Sequence, residues 1–192
     1  MSNPIRKIIE EYKDHADETL LKNFKFLHNG KTGYNDSFDV NYWQRKELIF
    51  ELYHDYGPEH KPLIQWLLKE EQKGFEIDLP LYTLDVCAFM LYKYMSNEDV
   101  YALYHTKFGA GTDAQVYVDI ELIFGYDKEH MKQYLTSDTQ NIELNKKILA
   151  TIEYYESDPD VIFRNREAYI DHFENKKIKG IKGDLEDFEE GL

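Results

Sequence analysis

His54 and Asp55 are adjacent, and they are the residues in the chain whose types most directly suggest chemistry. An imidazole beside a carboxylate can hold a divalent cation that activates water, provided further ligands come from elsewhere in the fold. His28 lies upstream as a possible further ligand, and Asp85, Asp99 and Asp113 lie downstream. A His at the C-terminal end of a helix also has a simpler use, because its cationic form complements the negative end of the helix dipole. Gly30-Lys31-Thr32 ends like a phosphate-binding loop. However, Lys25 occupies the place of the required first glycine, and a helical segment precedes the triplet where a strand is needed. Cys87 is the single cysteine; Val86, Ala88 and Phe89 surround it and no basic residue within three positions lowers its pKa, so it reads as a core thiol.

The pair His54-Asp55, with a histidine upstream and an aspartate downstream, resembles the ligand pattern of the metal-dependent phosphohydrolases of the HD type. That resemblance implies an all-helical fold and a metal-activated water. It covers two adjacent residues and leaves the remaining ligands unspecified. No H-E-x-x-H, nucleophile elbow or paired-cysteine motif accompanies it. The reading taken forward is therefore a protein without catalytic residues, cofactor or metal, with the HD-like phosphohydrolase using His54 and Asp55 as the alternative.

The aromatic residues carry a different signal. There are 16 tyrosines, several at helical spacing and several interleaved with carboxylates. Tyr101, Tyr104 and Tyr117 alternate with Asp113, Asp119 and Glu121, and Lys107 is the cation among them. Tyrosine buries a ring while keeping its hydroxyl wet, which suits both gaps between helices and protein interfaces. A face of tyrosines and carboxylates fits a basic patch on another protein. These six residues are the expected binding face, and a basic protein is the expected partner.

The elements that must position that face are helices. Leu84, Ala88, Leu91 and Met95 follow one another at spacings of four, three and four, one face of an α-helix. Ser96 with Asp99 reads as a capping box, Thr112 with Gln115 as another start, and Asp127 and Ser137 as further caps. Gly109, Gly111 and Gly125 are stops. Helix–break–helix units over 39–73, 82–108, 112–135 and 139–174 predict stacked antiparallel helical hairpins, an α-solenoid-like fold, with an irregular single-core bundle as the alternative. No segment reads as a convincing strand. Residues 1–174 form the expected helical domain, and 175–192 a charged, mobile C-terminal tail in which lysines precede acidic residues.

Composition narrows the function. The net charge of −14 repels nucleic acid and anionic lipid, and it speeds encounter with a basic partner. No apolar run is long enough to span a membrane. The residues 1–15 contain no apolar signal core, and the lone cysteine fits a reducing compartment, so a cytoplasmic location is expected. The functional expectation is an acidic, non-enzymatic protein-binding module, in its sharpest form an intracellular immunity-type protein masking a basic toxin. A scaffold holding two partners is a third expectation.

Overall fold

The structure, a computed structural model, describes residues 3–33, 36–77, 80–109 and 111–190. Among them the protein is all-α, with ten helices and one isolated antiparallel bridge, His28 to Asp39. Among the described residues no helix is long and apolar enough to cross a membrane.

Helix α1 (Pro4–His15) begins as its sequence dictates: Asn3 accepts from the Ile5 amide, and Pro4 occupies a position whose N–H would be unpaired anyway. The next segment is a tighter 3-10 turn, Glu18–Phe24, capped by Asp17 and anchored by Leu21 and Phe24. Helix α2 (Tyr42–His54) turns Leu48, Ile49 and Leu52 inward, and α3 (Lys61–Gln72) follows the Gly57-Pro58 break. Residues 73–76 close α3 as a further 3-10 turn; Asp78 and Leu79 lie outside the described residues.

Helix α4 (Tyr82–Lys93) is the hub. Every residue from Thr83 to Tyr92 is buried, so it is enclosed on all sides rather than along one stripe. It meets α2, α3, α5 (Val100–Phe108), the 3-10 turn Ile120–Ile123 and α10 (Ile178–Glu190). Hairpin-like pairs do occur, α3 on α4 and α7 (Lys128–Ser137) on α8 (Ile142–Glu156). In a solenoid each hairpin touches only its neighbours. Here α4 touches the last helix of the chain as well as α2, and one continuous apolar cluster runs from Ile9 to Leu185.

The breaks between helices are chemically specific. Asp99 accepts from both the Ser96 amide, at 2.6 Å, and its hydroxyl. Asp127 accepts from the His130 amide at 2.8 Å, capping α7, while Gly125 makes the left-handed turn before it with φ of +68°. Helix α6 (Thr112–Tyr117) starts where expected but without a side-chain cap. Helix α8 starts later than the Ser137-Gln140 pattern suggests, because Asp138 and not Ser137 accepts from the Gln140 and Asn141 amides.

Residues 175–190, expected as part of a tail, are helical. Helix α9 (Arg166–His172) passes through a π-helical turn, Phe173–Lys177, into α10. Ile178, Ile181 and Leu185 lie on one side of α10 and are buried. Their spacing of three and four is a short helical stripe, which the surrounding charges and two glycines outweighed in the sequence.

Candidate functional site

The potential metal ligands do not converge. His54 is exposed at the end of α2, and Asp55 accepts from Arg6 on α1. His28 Nε2 is 2.7 Å from Ser37 Oγ in a surface hairpin. Asp85 is enclosed beside Lys177, Asp99 is held by Lys61, Gln65 and Ser96, and Asp113 projects from α6. Among the described residues no group of three or more His, Cys, Asp or Glu side chains is placed to hold a metal ion. Gly30-Lys31-Thr32 lies in the turn of that same hairpin, where the Lys31 amide donates to Asn29 Oδ1. Cys87 is fully buried on α4, and burial pushes its thiol well above the ordinary range.

The six residues of the expected binding face divide by environment. The Tyr101 hydroxyl lies 2.9 Å from both Asp138 Oδ2 and Asn145 Oδ1, fastening α5 to the start of α8. Asn145 and Tyr101 hydrogen bonds, with two backbone amides, lower the Asp138 carboxyl to about 2. Tyr104 is half-buried against the Phe108 ring. Tyr117 meets Tyr82 edge-on, with burial raising its hydroxyl pKa. Glu121 is buried and accepts from the Arg164 backbone amide and guanidinium. Asp119 accepts from Lys177 and from the Tyr169 hydroxyl. Asp113 alone of the six is exposed, and Val116 is 87% exposed on the same short helix.

Behind this face stand two enclosed ammonium groups. Lys107 Nζ donates to the carbonyls of Gln115 and Val118, and Lys177 Nζ donates to that of Tyr117. The C-terminal carbonyls of α6 have no partner within a helix of six residues, so the two lysines satisfy them and complement the negative helix end. Burial lowers the Lys107 pKa. The same effect acts on Lys177, but Asp85 and Asp119 outweigh it and its pKa is raised. Asp85 Oδ1 has no hydrogen-bond partner among the described residues, and Oδ2 meets Lys177 Nζ at 2.7 Å as an ion pair. Burial raises the Asp85 carboxyl to about 6, with Lys177 opposing the rise. The cluster is a brace for the backbone of 115–119. Lys107 was visible in the sequence beside the expected face; Lys177 was hidden in a lysine-rich segment far along the chain.

A second buried charge is also structural. Arg45 is fully enclosed, donating to Asp39 Oδ2, Glu71 Oε1 and the Phe24 carbonyl, while the Thr83 hydroxyl donates to the other Glu71 oxygen. All four arginines are engaged within the molecule: Arg6 and Arg164 by carboxylates, Arg45 as described, and Arg166 by the carbonyls of Tyr92 and Lys93 and the Tyr126 ring. No known protein family matches the chain, and neither a curated protein nor a solved structure matches it significantly.

Proposed function

We propose that the protein is a non-enzymatic binding protein that covers a basic surface on another protein, and in its sharpest form an immunity-type antidote to a basic toxin in the cytoplasm. The observation that carries this reading is the presentation of α6. Asp113 and Val116 project from it into solvent, while its backbone is pinned from behind by Lys107 and Lys177. An acid and an apolar side chain on a pre-ordered backbone bind with little ordering entropy lost. The net charge of −14 steers a basic partner towards them. Of the six residues expected at the face, Tyr101, Tyr117, Asp119 and Glu121 act in this reading as its supports, and Asp113 and Tyr104 as its contacts.

The first partner to test is the product of the neighbouring gene, because an antidote is commonly encoded beside its toxin. Association and dissociation rates are measured across a salt series. Asp113→Lys should slow association several-fold at low salt and little at high salt. Val116→Asp should mainly speed dissociation. Unchanged rates in both variants, with helical content retained, would remove α6 from the interface.

A further inference from the structure

Two exposed apolar patches of opposite charge lie outside the α5–α6 face. The first is the hairpin around the His28–Asp39 bridge. There the Val40 amide donates to the Leu27 carbonyl at 2.8 Å, and the Asn29 amide to the Phe38 carbonyl at 3.0 Å. Side chains alternate across such a pair. Asp39 turns inward to Arg45, and Leu27, Phe38 and Val40 turn outward, each about half exposed. Lys25 and Lys31 bracket these three, exposed and without an ion pair among the described residues. Asp36 is also exposed at the hairpin end.

The second patch is the turn from α8 to α9. Ile162 is 94% exposed and Tyr154 74%, with Val161 beside them. Rings hold the turn from beneath: Tyr154 packs on Tyr155, Tyr155 on Phe163, and Phe163 on Phe124. Glu153, Asp158 and Asp160 rim it, exposed and free of ion pairs among the described residues.

We propose that these patches are the two halves of one interface between copies of this chain: the hairpin of one molecule docks on the 153–162 turn of another. Each has an apolar centre that a solitary protein has reason to cover, and a rim whose prevailing sign is opposite to the other's, since the two lysines of the hairpin outnumber Asp36. Molecules carrying a net charge of −14 repel one another over most of their surface. A second copy is therefore tolerated where the first presents lysines. A basic foreign partner would suit the turn but be repelled by Lys25 and Lys31, so one such partner leaves the hairpin unexplained. A second copy accounts for both. The contact is heterologous, closing into a ring or small oligomer if the rotation between copies permits.

The test is mass in solution, by light scattering and sedimentation velocity, over a range of protein and salt concentrations. Wild-type mass should rise above the monomer with concentration at low salt and fall as salt is added. Lys25→Glu with Lys31→Glu, and separately Asp158→Lys with Asp160→Lys, should each weaken self-association by at least about tenfold. Mixing the two charge-reversed proteins should restore association, because each then offers the other a complementary pair. Ile162→Asp should also dissociate the oligomer, with circular dichroism confirming that all variants keep their helices. A wild type that stays monomeric throughout overturns the proposal. So does a mixture that fails to reassociate, or a turn variant that keeps its self-association while losing a basic partner.

Discussion

Lys177 Nζ lies 2.7 Å from Asp85 Oδ2, joining the π-helical turn before the last helix to the first turn of the central one. The same ammonium reaches Asp119 and the Tyr117 carbonyl, so one side chain ties α4 and the last helix to the loop after α6. The packing of 178–190 and the shape of the candidate binding face are thus coupled through a single buried charge.

Removing that charge leaves Asp85 enclosed without its cation, the kind of change that destabilises by about 3–5 kcal/mol. Lys177→Met should lower the denaturation midpoint accordingly. Adding Asp85→Asn to it should recover a substantial part, because a neutral amide is less penalised by burial. An equal loss in the single and double variants, measured by urea unfolding, would show that the pair is not coupled.

The raised Asp85 carboxyl sets a pH dependence with a definite sign. Its folded pKa is about 6 against an ordinary 3.8, so the native state binds the proton more tightly than the unfolded chain. The group's favourable contribution is present below about pH 4 and is lost as pH rises through 6, a change on the order of 2–3 kcal/mol. Asp138 acts in the opposite sense: its depressed pKa contributes stability above about pH 4 that is lost as pH falls towards 2. Unfolding free energy compared between wild type and Asp85→Asn from pH 4 to 7 isolates the first contribution. The difference between the two proteins should move in favour of Asp85→Asn as pH rises, and a flat difference would contradict the assignment.

Cys87 should react with thiol reagents only as fast as the protein opens. It is fully buried and its thiolate is disfavoured, so labelling should accelerate in step with denaturant. Cys87→Ala should cost about 1–2 kcal/mol and leave any binding per folded molecule unchanged. Rapid labelling under native conditions would place the thiol somewhere other than the centre of α4.

The sequence exposed the interior more readily than the surface. Leu84, Ala88, Leu91 and Met95 are all buried as their spacing predicts, although Met95 lies just past the end of α4 and that helix is enclosed on every side. The Ser96–Asp99 and Asp127 caps were legible for the same local reason: their partners are within three residues. Tyr101, Asp119 and Glu121 were ambiguous because their partners, Asn145, Lys177 and Arg164, are remote in the chain and helical spacing says nothing about them. Val116 is exposed because α6 is a helix of six residues with one side to bury, which Ala114 fills. The 178–185 stripe was hidden by its charge, although the lysine that precedes it is what locks it in place.

Tyr101 provides the last test, because it separates a supporting residue from a contact. Its hydroxyl meets Asp138 and Asn145, and Asn145 in turn donates to the Asp138 carbonyl and carboxylate, so three side chains close the junction of α5, α7 and α8. Tyr101→Phe keeps the ring and deletes the hydroxyl. It should cost about 1–2 kcal/mol, since the one acceptor that its single O–H serves is left short of a donor in a half-enclosed site. The carboxyl of Asp138 should titrate at higher pH, because one of the hydrogen bonds holding it near 2 is gone. Carbon-detected NMR titration reads that shift directly. Binding to a basic partner should be unchanged once corrected for the folded fraction. Loss of affinity without loss of stability would return Tyr101 to the contact surface, and an unmoved Asp138 titration would mean that the hydroxyl bond is not formed in solution.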